Sequence, residues 1–392
     1  MLTMHLRKTI ILALICAVIF GCKKESTSST TNQTDNCVSQ RGYKDGEIIE
    51  GDYIVAYDPS VLDERAASSQ RISQVGEDVL QRHKINPDVI KKTFRGEPGG
   101  FVAHLSANEA ANLKDDAAVE AIEPDRIVAL STCFTVAEPR LITWNVNRVG
   151  YGDGTGKTAW VIDTGIDFNH PDLNVDQTRS KSFINGVTSA ADENGHGTHV
   201  AGIIGAKNNT FGVLGVASGA SLVSLRVLDK DGNGVLSSII QALGYVNANG
   251  HAGDVVNMSL GEDSISTILD QQVQSTAARG VYVAIAAGND KEPARNFSPG
   301  RANGANIFTV SAIDSLDNFA NFSNYGNDVV DFAAPGVRIL STYIGGKYAY
   351  MSGTSMAAPH LAALLLLKGR NITTSGTAKN DPDGTPDPIA HY

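Results

Sequence analysis

The sequence predicts an α/β protein, a parallel sheet with helices on both faces, preceded by a small α+β domain. Three observations carry this. Beyond Arg140, apolar runs of strand length alternate with helical segments, the order produced by parallel strands joined through crossover helices. Polar clusters interrupt that scaffold just after strands, where open α/β sheets place their sites. Between Gly51 and Leu130 the pattern differs, with strands and short helices in the order of a separate compact unit. The 392 residues, 42% hydrophobic and 19% charged, are enough for more than one domain with a substantial core. A formal charge of -10 and a pI near 5.4, with Lys and Arg scattered, argue against general affinity for nucleic acid.

Taken in order, Met1 to Lys8 is basic and Thr9 to Phe20 is an apolar run too short to span a bilayer comfortably, so residues 1–21 read as an export signal. Ile19-Phe20-Gly21-Cys22 resembles the bacterial lipoprotein cleavage box, which implies acylation of Cys22 and attachment to the cell envelope membrane. Simple secretion is the alternative. Residues 22–50, rich in Ser, Thr, Asn and Lys over Lys23 to Gln40, have little to bury and suit a flexible tether. Of four cysteines, Cys16 leaves with the signal and Cys22 carries the lipid, so Cys37 and Cys133 remain to pair.

In the 51–130 unit, Asp52 to Tyr57 and Phe101 to Leu105 read as strands. Leu62 to His83 and Ala107 to Lys114 read as helical, and Val119 to Ile122 with Ile127 to Leu130 supply further strand. Residues 131–140 form a linker. In the 141–392 domain the strand candidates are Thr158 to Ile162, Leu222 to Leu228, Val255 to Leu260, Val281 to Ala287, Ile307 to Ile313 and Val329 to Ala333. Helical segments are His199 to Ala206, Leu236 to Ala248, Ile265 to Arg279 and one opening near Ser355. After Ser355 the polar, Gly/Asp/Pro-rich stretch from Asn371 shows no helical period and reads as a shortened or rearranged end.

Three clusters carry the chemistry. Asp163 follows a buried strand in Val161-Ile162-Asp163-Thr164-Gly165. His196 opens a helix in Asn194-Gly195-His196-Gly197-Thr198-His199. Ser355 begins another in Gly353-Thr354-Ser355-Met356-Ala357-Ala358-Pro359-His360. A helix N-terminus favours developing negative charge, although Gly-Thr-Ser before an apolar run is also an ordinary cap. A serine hydroxyl needs a base to take its proton and a carboxylate to orient that base, and His and Asp supply both.

These blocks, in the order Asp, His, Ser, resemble the signatures of the subtilisin-like serine proteases over roughly Leu141 to Lys368. The resemblance implies that Asp163 orients the base, His196 acts as base and then acid, and Ser355 attacks the scissile carbonyl. Ala286-Ala287-Gly288-Asn289 resembles the block whose Asn side chain helps to bind the oxyanion, which makes Asn289 the donor. Ser259, Leu260, Gly261 and the loop Gly232, Asn233, Gly234 resemble the two edges that grip extended substrate; strand ends and turns are the plain reading of both. The 51–130 unit resembles the family's inhibitory propeptide and implies an intramolecular inhibitor cut within residues 131–140; a permanent structural domain is the alternative.

Lys207-Asn208-Asn209-Thr210-Phe211-Gly212-Val213, with Asp172, resembles the family's structural calcium loop, implying ligands from Asp172, Lys207, Asn209, Phe211 and Val213. No catalytic cofactor is implied. Other motifs fail. Asp229 to Gly234 begins like an EF-hand loop but has Ile240 where the acid belongs, and Gly154 to Thr158 lacks the first glycine of a phosphate loop, at Tyr151. His196 and His199 lack a third zinc ligand. The expectation is therefore an exported or lipid-anchored serine endopeptidase, monomeric, acting on protein or peptide substrates. A peptide-binding lipoprotein on a retired protease scaffold and a metal-dependent hydrolase are the competing readings.

Overall fold

The computed structural model describes residues 46–62, 68–129, 133–136 and 142–392, so the expected signal, Cys22, Cys37 and most of the linker lie outside it. Among the described residues no helix is long and apolar enough to cross a membrane.

The N-terminal unit contains β1 (Ile48–Tyr57), α1 (Ser69–Arg82), β2 (Ile90–Phe94), β3 (Gly100–His104), α2 (Ala107–Leu113) and β4 (Val119–Ala129). Side chains alternate across its antiparallel sheet. Val55 and Tyr57 of β1 pack under α1 and α2, while Ile54 and Ala56 join a core shared with the larger domain. Both helices are capped by serine, α1 through Ser68 and α2 through a Ser106–Glu109 capping box. β4 is one strand where the sequence reading had two: Pro124 sits within it opposite Tyr53, at a position where only β1 pairs and a missing N–H costs little. β2 was not anticipated.

The larger domain follows as β5 (Cys133–Val136), α3 (Trp144–Val149), β6 (Thr158–Asp163), α4 (His196–Gly205), β7 (Ser221–Arg226), β8 (Asn233–Val235), α5 (Leu236–Asn249), β9 (Val255–Met258), α6 (Thr267–Ala278), β10 (Tyr282–Ala286), β11 (Ile307–Ile313), β12 (Val330–Pro335), β13 (Ile339–Tyr343), β14 (Lys347–Ser352), α7 (Thr354–Lys368), β15 (Thr373–Thr377) and β16 (Pro388–His391). Its main sheet runs β15-β16-β12-β11-β10-β9-β6-β7 and ends on a short Lys181–Ser182 edge. Every pairing from β16 to that edge is parallel, and only β15 runs antiparallel to its neighbour. One face carries a core built on α4 and α7, the other a core built on α5 and α6. The fold class is the one read from the sequence, with two additions. A hairpin, β13 and β14, flanks the sheet, and the tail is ordered: β16 joins β12 in parallel, and the terminal Tyr392 N–H donates to the Val149 carbonyl at 2.8 Å.

Candidate active site

Parallel pairing puts three strand ends side by side. β9 lies between β6 and β10, so Asp163, which ends β6, the Ser259 segment after β9 and the Asn289 loop after β10 emerge from adjacent strands on one edge of the sheet. α7 begins against that edge and brings Ser355 with it.

Asp163 is fully buried, and His196, the first residue of α4, is nearly so. His196 Nδ1 meets both carboxylate oxygens, at 2.8 and 3.0 Å, and the Thr164 N–H donates to Asp163 Oδ1 at 2.7 Å. The pair buries a charge close to a hydrogen-bonded partner, which fixes the ring's orientation. His196 Nε2 points away from that contact and has no hydrogen-bond partner among the described residues. Asp192 holds the arrangement from behind. Its Oδ1 accepts from Thr164 Oγ1 at 2.9 Å and its Oδ2 from Thr198 Oγ1 at 2.6 Å, while Thr164 Oγ1 accepts from the Gly197 N–H at 2.9 Å. The sequence reading missed Asp192, because a loop aspartate four residues before a helix has many ordinary uses.

Ser355 is 4% exposed, in the first turn of α7. Its Oγ donates to the Ser259 carbonyl at 3.2 Å rather than to His196. A second contact explains why Ser259 is there. Pro359 lies four residues after Ser355 and has no N–H, so the Ser355 carbonyl lacks its helical donor; Ser259 Oγ supplies one at 2.7 Å. Ser259, expected as a substrate edge, thus also braces the serine's backbone.

Asn289 Oδ1 accepts from the Thr354 N–H at 2.8 Å and from Thr354 Oγ1 at 3.0 Å, which fixes the amide plane. Gly353 has φ +156°, and a Cβ built on it would stand 3.6 Å from both Asn289 Nδ2 and the Ser355 nitrogen. A side chain there would fill the space between two N–H donors. That space suits an oxyanion.

The expected edge Gly232-Asn233-Gly234 is occupied by the chain's own N-terminal unit: β4 pairs antiparallel with β8 through Asn233↔Ala129 and Gly234↔Val128. On the other side of Ser355, β5 pairs with β14 from Ser352↔Cys133 to Ala349↔Val136. The β14 edge was not read from the sequence. Leu260 is buried, and Gly261 continues the segment past Ser259. Two carboxylates of β4 also reach helix N-termini of the larger domain. Asp125 accepts from the Ser237 N–H at 3.0 Å in the first turn of α5, and Glu123 bonds the hydroxyl of Ser266, which caps α6. Burial raises both carboxyls, Glu123 to about 7.

Asp172 is buried inside the 207–213 loop. It accepts from Asn209 Nδ2 at 2.7 Å, from the Val213 N–H at 3.0 Å and from the Tyr348 hydroxyl at 3.3 Å, and burial raises its pKa. Asn209 turns its amide nitrogen to Asp172 while its Oδ1 accepts from the Phe211 N–H at 3.0 Å, so the 207–213 loop is wrapped around the Asp172 carboxylate. Among the described residues no three His, Cys, Asp or Glu side chains gather into a metal cluster. His199 is a packed helix residue, its Nε2 at 2.9 Å from the Ile339 carbonyl and 3.0 Å from that of Ala349, and burial lowers its pKa to about 3. Asp229 accepts from the N–H groups of Asp231 and Asn233 at 2.9 Å each, the geometry of a turn.

The subtilase family model matches residues 154–376 and the peptidase inhibitor I9 model matches residues 52–131. An alkaline serine exoprotease A of Vibrio alginolyticus is 36% identical over 350 residues, covering 84% of this chain and 63% of its own length. An alkaline protease of Alkalihalobacillus alcalophilus is 42% identical over 279 residues, 69% of each chain. Subtilisin BL of Lederbergia lenta is 44% identical over 242 residues, 60% of this chain and 87% of its own. A crystal structure of a cold adapted subtilisin-like serine proteinase superposes with a TM-score of 0.58 at 33% identity, covering 64% of this chain and 98% of that one.

Proposed function

The chain belongs to the subtilase family of serine proteases, with an I9 inhibitor domain ahead of the protease domain, and from that premise we propose an endopeptidase made as a self-inhibited precursor, with Asp163, His196 and Ser355 as its triad. The observation that carries the reading is the His196 ring, anchored to Asp163 through Nδ1 and bare at a buried Nε2, on a helix that packs against the one Ser355 begins. Catalysis requires the Ser355 hydroxyl to turn from the Ser259 carbonyl to Nε2. His196 then takes the proton as Oγ bonds to the scissile carbonyl carbon, and Asp163 stabilises the imidazolium. The oxyanion forms in the space beside Gly353, between Asn289 Nδ2 and the Ser355 N–H. His196 returns the proton to the leaving amine, and water releases the acyl group by the same steps in reverse.

The two ladders support the endo assignment. Chain enters along β8 and leaves along β14, so the groove is open at both ends and accepts a bond in the middle of a peptide. They also support self-inhibition, with a cut among the peptide bonds between Ala129 and Cys133, at the upstream end of the linker. A structural calcium ion is assigned to the loop of Asp172, Lys207, Asn209, Phe211 and Val213, where it would stabilise the fold without taking part in the chemistry. Export through residues 1–21 with lipid attachment at Cys22 is the reading that the N-terminal sequence supports. Protein and peptide substrates follow from the groove.

A serine-directed phosphonate should label Ser355, and Ser355→Ala should leave the chain uncut. N-terminal sequencing of the processed wild type should begin between residues 130 and 133. Wild-type protein that stays full-length and never reacts with the phosphonate sinks the reading.

A further inference from the structure

The helix that carries the base begins without a side-chain cap of its own. Its N-cap is Gly195, at φ +114°, and a Cβ built there would stand 2.1 Å from Tyr343 Cε2, so a residue of the usual capping kind has no room. The three N–H groups of the first turn are met from three other places. Asn194 Oδ1 accepts from the His196 N–H at 3.1 Å, Thr164 Oγ1 from that of Gly197 at 2.9 Å, and Asp192 Oδ2 from that of Thr198 at 3.0 Å. Asp192 does more than cap. It also accepts from the Thr198 hydroxyl at 2.6 Å, from the Thr164 hydroxyl at 2.9 Å, and from the N–H groups of Asn194 and Gly195 at 2.9 and 3.0 Å. Five donors therefore converge on one carboxylate that is only 9% exposed. The loop that carries it is fastened on either side: buried Arg226 donates through Nη1 to the Ala191 carbonyl at 2.8 Å and through Nη2 to Glu193 Oε2 at 2.6 Å. Arg226 in turn stands opposite Asp163 in the register of β7 with β6.

The partners of Asp192 are the neighbours of the two residues whose contact matters. Thr164 follows Asp163 and donates its own N–H to that carboxylate, while Gly197 and Thr198 follow His196. The bond from Thr164 to Asp192 and the bonds from Thr198 to Asp192 thus tie the end of β6 to the opening of α4. Little slack remains there, because a Cβ on Gly197 would lie 3.1 Å from both Asp163 Cβ and Oδ1. We propose that Asp192 is a positioning residue for the base, setting through Thr164 and Thr198 the distance and angle at which Asp163 meets His196. The proposal rests on the protease reading. An amide cannot take over the work: its nitrogen accepts nothing, so Asp192→Asn leaves either the Thr198 donors or the Thr164 and loop donors without an acceptor. Any turn of α4 relative to β6 displaces the ring that must receive the Ser355 proton at hydrogen-bond distance, and such displacement costs rate more than binding.

The test uses the full chain, processed by its own activity, with active sites counted by the serine-directed phosphonate so that misfolded protein does not enter the rate. Asp192→Asn should lower kcat on a peptide substrate by about 10- to 100-fold while KM stays within about twofold. Thr164→Val should act in the same direction, and Thr164→Ser, which keeps the hydroxyl, should retain most of the kcat that Thr164→Val loses. Combining Asp192→Asn with Thr164→Val should cost less than the product of the two losses, since both cut one link. A second readout needs no turnover. In the full chain carrying Ser355→Ala, the proton held between His196 Nδ1 and Asp163 resonates far downfield of the backbone amides, and it should move upfield or broaden when Asp192→Asn is added. If Asp192→Asn fails to fold, the two Thr164 variants carry both readouts. Unchanged kcat per active site, or a lowered melting temperature with kcat and the downfield proton as in wild type, overturns the proposal alone. A wild type that the phosphonate never labels overturns the protease reading, and the proposal with it.

Discussion

The contact between Glu123 and the N-terminus of α6 makes docking of the inhibitory unit sensitive to pH. Glu123 rises from 4.5 to about 7, first because burial disfavours its charge, with the Ser266 hydroxyl opposing and the nearby Asp270 carboxylate adding to the rise. Once the unit leaves, the carboxyl returns to water and to its ordinary value. The docked form therefore holds the proton more tightly, so its contribution is full below pH 4.5 and is lost as pH rises through about 7. At 1.36 kcal/mol per pKa unit, a rise from 4.5 to about 7 corresponds to about 3 kcal/mol, or on the order of 100-fold in affinity. Favourable helix-terminus amides reduce this, so about 10- to 100-fold weaker docking is expected between pH 5 and pH 9. Asp125 is raised in the same direction by burial and Asp270 reaches about 6, so Glu123→Gln should flatten the profile without abolishing it. Release of the labelled N-terminal fragment from the processed complex, followed by fluorescence at constant ionic strength, measures this without relying on enzymatic rates that carry their own pH dependence. Superimposable profiles for wild type and Glu123→Gln, or release that slows as pH rises, would refute the reasoning.

On the proposed mechanism, Asn289→Ala should lower kcat by about 10² to 10³ with little change in KM, the magnitude of losing the Asn donor in subtilisin; equal losses in binding and turnover would assign Asn289 to structure alone. Ser259→Ala should destabilise the Ser355→Ala chain by about 1–3 kcal/mol, since it leaves the Ser355 carbonyl without a donor. Adding Pro359→Ala restores a helical N–H and should recover part of that loss in chemical denaturation; strictly additive effects would show that the two residues do not share the carbonyl.

The scaffold was legible because buried parallel strands are apolar runs and their crossover helices are long enough to carry a period. What escaped has local causes. Lys91 and Lys92 hide β2, a short edge strand whose charged residues leave no alternating pattern. The β13–β14 hairpin had a readable signal in Gly345-Gly346, both at positive φ in the turn, but it lies in a stretch that the strand-helix alternation does not require. The tail defeated periodicity altogether. β15 is exposed along its length and β16 is too short to show a pattern, so only the pairing of Ile389 with Ala333 reveals that it extends the sheet.

At the candidate site, His196 and Ser355 lie in the first turn of helices that follow glycines, while Asp163 ends a strand and Asn289 lies in the loop after one, positions where an open α/β sheet presents polar side chains. Ser259 shows the limit of that reading. The sequence offered it as a peptide-gripping edge, whereas the structure gives its carbonyl to the Ser355 hydroxyl and its hydroxyl to the Ser355 backbone. The two descriptions join in one step. A peptide laid along Ser259–Gly261 would present a backbone N–H to the Ser259 carbonyl, a better donor than a hydroxyl at 3.2 Å. On the mechanism proposed above, the displaced hydroxyl turns to His196 Nε2, which has no hydrogen-bond partner among the described residues. On that mechanism, a peptide bound at the Ser259 carbonyl is what frees the serine to meet its base.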